Sequence, residues 1–352
     1  MPRLPNPFTA PGQWYRGTLH VHTTNSDGAM PPDRLVAHYA YAGWDFLAIT
    51  DHWKVTDPPD LAELAAVPDI TVIRGTEVGT AAGSTEAGTS YHIVGLNVEE
   101  PLPRRQGPAG PAGAQWFIDA IGEQGGEATI AHPYWSGLTL RDVEPLRGYL
   151  AIEVYNADTE VHIGRGYAQA LWDDLLSRGI PTLAVAVDDC HRPGYDSLRG
   201  WTVVRAADRS AAAIMAALRA GRFYASAGPE IYDVQWEPAG GVVTVRCSPA
   251  RAVSLVADAT RGGRLNAGPF GMAHRARRLR TETNRPEGVL EGELLTGAEF
   301  LLTGQERYVR VQVEDAHGRC AWTNPLFVRG ADIYRPDSPA PSGENTMDPS
   351  GA

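Results

Sequence analysis

The sequence predicts an α/β fold followed by a smaller all-β unit, and three observations carry that reading. Short apolar strands alternate with helices or loops some seven times through about the first 190 residues. At least five of those strands end in His, Asp or Glu. Beyond Ile231 the texture changes to short alternating strands separated by turn residues, the pattern of a small β-sandwich. The first pattern implies parallel strands joined by right-handed crossovers. That means a barrel or an open sheet, with ligand groups gathered at the carboxyl ends of its strands.

In chain order, residues 18–22 (Thr-Leu-His-Val-His) alternate polar and apolar side chains and read as a strand with His20 and His22 on one face. The turn Asn25-Ser26-Asp27-Gly28 holds Asp27 at its mouth. Pro31-Pro32-Asp33 starts a helix with the stripe Leu35, Val36 and Tyr39 and a stop at Ala42-Gly43, and His38 is a surface or packing residue on it. Residues 46–50 are nearly all apolar, as a strand buried on both faces requires, and end in Asp51-His52. Residues 71–78 carry Glu77, and residues 91–96 carry His92. A Gly/Ala/Ser/Thr loop at 81–90 and a mobile Pro/Gly-rich connector at 101–113, with Arg104 and Arg105, separate these from a helix over 116–121. The strand at 128–131 delivers His132. The strand at 151–156 contains Glu153, read as a structural carboxylate, and ends in Asn156. After a helix over 167–177, the strand at 182–187 ends in Asp188-Asp189-Cys190-His191. His162, His274 and His317 have no motif around them and read as surface residues.

Residues 210–220 read as an alanine-rich helix, and Gly228-Pro229 marks a boundary. The resulting division is an N-terminal extension over 1–14, a main α/β domain over 15–229, a β-sandwich over 230–332 and a disordered tail over 333–352. The basic run 275–280 reads as a solvated segment.

Composition excludes several classes. A formal charge of −11 over 352 residues argues against a nucleic-acid or anionic-membrane surface. Cys190, Cys247 and Cys320 are odd in number and far apart, so no disulfide framework or Cys-based zinc motif is indicated. With no apolar h-region and no long apolar run, a soluble cytoplasmic protein acting on a small molecule is the expectation; the oligomeric state stays open. The strand-end donors are imidazoles and carboxylates without thiolate. That set suits Zn, Mn or Fe and is too rich in imidazole for a magnesium site, and more than four donors imply more than one metal.

The series His20-Val21-His22 with Asp27, Asp51-His52, Glu77, His92, His132 and Asp189-Cys190-His191 resembles, in order and without a gap, the ligand series of the PHP (polymerase and histidinol phosphatase) superfamily. The runs at 18–28, 46–52, 221–229 (Gly-Arg-Phe-Tyr-Ala-Ser-Ala-Gly-Pro) and 321–325 (Ala-Trp-Thr-Asn-Pro) are similar to its carbaryl-hydrolase branch, the CehA/McbA type. The resemblance implies a distorted (β/α)7 barrel holding two or three divalent metals. It puts His20, His22, Glu77 and Asp189 on the first, has Glu77 bridge to a second held by His92 and His132, and gives Asp27, His52 and His191 to a third. Trp53 after the Asp-His pair and Cys190 inside Asp-x-His depart from the family pattern, and neither removes a ligand. The chemistry implied is hydrolysis by a metal-bound hydroxide, with no side-chain nucleophile in view and the general acid unassigned. Phosphoester hydrolysis of a small metabolite or nucleotide is the first expectation, and carbamate, ester or amide hydrolysis the alternative. Trp53, Tyr134, Trp135, Asn156 and Arg192 are the candidate substrate contacts, with Arg74 a second candidate to grip a phosphate.

Overall fold

Four consecutive apolar residues with no polar partner must be buried on both faces, and Phe46–Ile49 (β2) is buried throughout, hydrogen-bonded in parallel between Gln13–Thr18 (β1) and Thr71–Gly79 (β3). The computed structural model describes residues 6–58, 67–104, 110–237, 241–268, 276–278, 294–329 and 332–334. Helix α1 (Pro32–Tyr41) places proline at its first turn and buries Leu35, Val36 and Tyr39. Next come β4 (His92–Leu96), α2 (Pro111–Glu123), β5 (Glu127–Ile130), α3 (Leu140–Val143), β6 (Ala151–Asn156), α4 (Ala157–Ile163), α5 (Gln169–Ser177) and β7 (Leu183–Val187). Strand β8 (Trp201–Ala206), helix α6 (Ala211–Arg219), capped by the Ser210 side chain, and strand β9 (Phe223–Ser226) complete this half.

Strands β1 to β7 neighbour one another in chain order. Their direction corrects one expectation: β4 is antiparallel to both β3 and β5. No helix lies between β3 and β4, and without a crossover the chain can only turn back on itself. A second correction concerns the first motif. β1 stops at Thr18, where Gly17 still pairs with both β2 and β8, so His20 and His22 lie beyond the strand. Main-chain bonds from neighbouring strand ends take over there: His22 N–H donates to Cys190 O (2.9 Å), Asp189 N–H to His20 O (2.9 Å) and Thr50 N–H to Val21 O (2.9 Å). An isolated parallel bridge between Val21 and Cys190 links the ends of β1 and β7.

Part of the predicted connector is helix: α2 begins at Pro111, after Gly110 at φ 75°, while residues 105–109 lie outside the described residues. Helices α3 and α4 and strands β8 and β9 are only four to seven residues long, too short for a periodic signal of their own.

The C-terminal strands form two layers. β12 (Ala252–Ala257), β13 (Gly262–Asn266), β16 (Tyr308–Glu314) and β17 (Cys320–Thr323) prolong the large sheet, because β17 pairs with β9. β10 (Ile231–Glu237), β11 (Val242–Ala250), β14 (Ala276–Arg278) and β15 (Leu295–Leu301) form a separate four-stranded sheet. β18 (Leu326–Arg329) pairs with β16 and with β19 (Asp332–Tyr334). One buried cluster draws Val234, Val245 and Phe300 from the small sheet and Leu255, Val311 and Val313 from the large one. Of the basic run, Arg277 and Arg278 sit in β14, whereas Arg275 and Arg280, with His274 and the tail beyond 334, lie outside the described residues. The three cysteines are free and buried, and His317 is exposed. Among the described residues no helix is long and apolar enough to cross a membrane.

Candidate metal centre

Every nominated imidazole and carboxylate converges on one pit where the strands end. His20, His22, Glu77 and Asp189 are buried, and their donor atoms lie within 4.8 Å of one another. His20 Nε2 and His22 Nε2 are 3.1 Å apart. Each is 3.2 Å from Glu77 Oε2 and 3.1 Å from Asp189 Oδ1. The other oxygen of Glu77 faces a second group, 2.8 Å from His92 Nδ1 and 3.2 Å from His132 Nε2. Asp27 Oδ2 lies 3.5 Å from both His52 Nε2 and His191 Nε2, and these three group with His22. The three sets thus share Glu77 and His22.

A cation fits this arrangement better than protons do. The two Nε2 atoms, 3.1 Å apart, face the same pair of carboxylate oxygens, so one cation between them would meet all four donors. Asp189 Oδ1 is buried without a hydrogen-bond partner among the described residues. The outer nitrogens are already committed: His20 Nδ1 to Glu153 Oε1 (2.7 Å), His132 Nδ1 to Ser136 Oγ (3.1 Å) and His191 Nδ1 to the Asp189 carbonyl (2.8 Å). Each therefore presents Nε2 toward the centre, the atom that a bound metal would take. Nitrogen and carboxylate donors without thiolate suit Zn, Mn or Fe.

Without the cation the charges distort one another. Burial alone would raise Glu77, but His20, His132 and His22 hold it well below the usual carboxylate range, and His20 and His22 do the same to Asp189. Burial would lower His22, yet the Asp189 and Glu77 carboxylates beside it push it up to about 9. His20 and His132 are raised too, against their burial, by Asp189, Glu153 and Glu77. A raised imidazole keeps its proton at neutral pH, so a metal must displace it. Apparent metal affinity is expected to rise about tenfold per pH unit for each proton released between pH 6.5 and 9. The metal-free protein should lose stability over the same window, because the His22 contribution is full below 6.5 and lost as pH climbs through about 9. Chelator competition and thermal melts across that range check both; a pH-independent affinity would contradict the protonated apo site.

The supporting residues were less legible. Asp51, beside His52 in sequence, turns away from the donors and accepts from Thr23 N (2.8 Å), Thr23 Oγ1 (2.7 Å), Ser26 Oγ (2.7 Å) and Thr56 Oγ1, holding the loop that carries Asp27. Gly28 closes that loop: a Cβ there would stand 2.3 Å from the His22 carbonyl oxygen. Asp158, not singled out in the sequence, groups with Asp189 and His191; burial and the Asp189 charge push it up to about 6.

The candidate substrate contacts separate. Trp135 is 42% exposed and stands with its ring 4.9 Å from His132 and 5.8 Å from His92. Tyr134 is 49% exposed beneath the Arg165 guanidinium (5.4 Å). Arg192 is exposed, with Nη1 3.1 Å from His162 Nε2. Trp53, at φ 59°, packs instead on Phe117 (5.6 Å) with Arg104 over its ring (5.6 Å). Asn156 is fully buried and all its polar atoms are engaged within the protein, which leaves no face for a substrate. Arg74 is taken up by Asp57 (2.8 Å) and Glu99 (3.8 Å).

Comparison with known proteins supplies the family context. A 5'-3' exoribonuclease of Haemophilus influenzae is 32% identical over 191 residues, covering 50% of this chain and 65% of that protein. A phosphoribosyl 1,2-cyclic phosphate 1,2-diphosphodiesterase of Eggerthella lenta is 32% identical over 118 residues, covering 32% of this chain and 44% of that protein. The chain thus spans less than two thirds of either relative. A solved two-domain protein of Bacteroides vulgatus containing a PHP-like metal-dependent phosphoesterase aligns over 95% of this chain and 96% of its own at 17% identity, with a TM-score of 0.48, too loose a likeness to rest anything on. The PHP domain family matches residues 18–103, the segment that brings His20, His22, Asp27, His52, Glu77 and His92 to the centre.

Proposed function

We propose that this chain is a metal-dependent hydrolase that cleaves a phosphoester of a small phosphorylated metabolite or nucleotide. One observation carries the reading: the two oxygens of the buried Glu77 serve two different donor groups, so two cations would share a single carboxylate. Cations so paired lower the pKa of water and neutralise charge developing on a phosphoryl group. His20, His22 and Asp189 would hold one, His92 and His132 the other, and Asp27, His52 and His191 a third. The relatives' names, a diphosphodiesterase and an exoribonuclease, support phosphoester chemistry, while the formal charge of −11 favours a small substrate over a nucleic acid or a membrane. Trp135 would wall the second cation site, and Tyr134 and Arg192 would meet the substrate at the rim. The same reading takes 15–229 as a distorted (β/α)7 barrel of the carbaryl-hydrolase branch and 230–332 as an accessory β-sandwich.

The exposed aromatic rim of Trp135 and Tyr134 favours a second reading, hydrolysis of a carbamate, ester or amide with an aromatic leaving group. Mn- and Zn-loaded protein assayed on p-nitrophenyl phosphate, bis-p-nitrophenyl phosphate and 1-naphthyl N-methylcarbamate, with His22→Ala as control, separates the two. Phosphoester turnover lost in the variant is the expected result. Naphthol release alone would replace the first reading with the second.

A further inference from the structure

Strand β6 supplies none of the donor groups built around Glu77, yet it carries two buried polar side chains, Glu153 and Asn156. In a regular strand residues three apart point to opposite faces. Here the register against β7 shifts: Glu153 pairs with Val185 and Tyr155 with Ala186, so β6 spends one extra residue, Val154. That bulge turns Asn156 to the side of Glu153, and Asn156 Nδ2 donates to Glu153 Oε2 at 2.8 Å.

The pair then reaches three elements at once. Glu153 Oε1 is 2.7 Å from His20 Nδ1 and fixes the tautomer that leaves Nε2 free. Glu153 Oε2 accepts the His132 backbone N–H at 2.7 Å. Asn156 Nδ2 also donates to Asp189 Oδ2 at 3.1 Å, leaving Oδ1 for the centre. His132 and Asp189 both have positive φ, 25° and 53°, a conformation that costs a non-glycine residue about 1–3 kcal/mol and persists only where neighbours enforce it. The carboxylate and the amide hold both ends of that strain.

We propose that Glu153 and Asn156, brought together by the β6 bulge, are positioning residues that set cation affinity at the His20/His22/Glu77/Asp189 group. The proposal rests on the metal-centre reading above. Two variants of the full chain test it. Glu153→Gln keeps only one acceptor, so either the His20 Nδ1–H or the His132 N–H faces an NH2 group instead. Asn156→Ser removes the amide donors but keeps a side chain able to cap α4, whose Thr159 N–H now bonds Asn156 Oδ1 at 3.1 Å.

Co(II) titration of metal-free protein, followed by d–d absorption alongside thermal melts without metal, is the measurement. The expected result is a Kd raised about 10–100-fold for the tightest-bound ion in each variant, with an altered spectrum and metal-free melting close to wild type. Wild-type affinity and spectrum in both variants would overturn the proposal. So would weakened binding that merely follows a matching loss of metal-free stability, the mark of a purely structural role. A wild-type protein that takes up no Co(II) would instead sink the metal reading itself, and the two failures are therefore distinguishable.

Discussion

Glu77→Gln is expected to lower the proposed hydrolysis by about 10³-fold or more and to cost the protein bound metal, with the fold intact. Glu77 is 1% exposed, and its two oxygens face His20, His22 and His52 on one side and His92 and His132 on the other. A neutral amide keeps one acceptor and turns an NH2 group toward imidazole lone pairs, so one donor group loses its carboxylate whichever way the amide lies. The shape is nearly unchanged, so circular dichroism should match wild type. Metal content by mass spectrometry, read beside turnover, is the check; full metal content with full activity would remove the bridge from the mechanism.

Asp188→Ala should destabilise the protein by about 3–5 kcal/mol, the cost of breaking a buried, fully satisfied charge. Its carboxylate is buried and accepts from Leu198, Arg199 and Gly200 N–H, each at 2.8 Å, and from Tyr39 Oη at 2.7 Å. Alanine would strand three backbone donors where the chain leaves β7 for β8. The same corner excludes side chains: a Cβ on Gly200 would sit 2.2 Å from the Val187 carbonyl oxygen. Urea denaturation of metal-free protein measures the effect, and a loss below about 1 kcal/mol would mean that water reaches those donors.

For the neighbours Asp188 and Asp189, residue type and periodicity stop short, and only the family resemblance selects Asp189 as the ligand. Both follow the same apolar strand, and composition cannot say which carboxylate faces the centre. The left-handed backbone at Asp189 decides it, turning one inward to the imidazoles and leaving the other to hold a loop. Asp51 and His52 divide in the same way, the carboxylate to the Thr23–Ser26 loop and the imidazole to the donors. Trp53 and Trp135 each follow a candidate ligand closely, but Trp53 packs on Phe117 and Trp135 lies against the imidazoles. Asn156 stands at a strand end where a substrate contact is expected, and the bulge at Val154, two residues earlier, turns it into the protein instead.

The sequence by itself determined the run of buried strands, the helix starts at proline and serine, and the inventory of imidazoles and carboxylates at the strand ends. Each depends on residue type and short-range periodicity, which act within a few positions of the chain. The tertiary structure alone decided that β4 runs backwards, that His20 and His22 lie beyond the end of β1, and that Glu153 orients His20 from 133 positions away. Those outcomes depend on which strand ends meet across the sheet. A hydrogen bond of 2.7 Å between residues so far apart leaves no trace in the local pattern of either one.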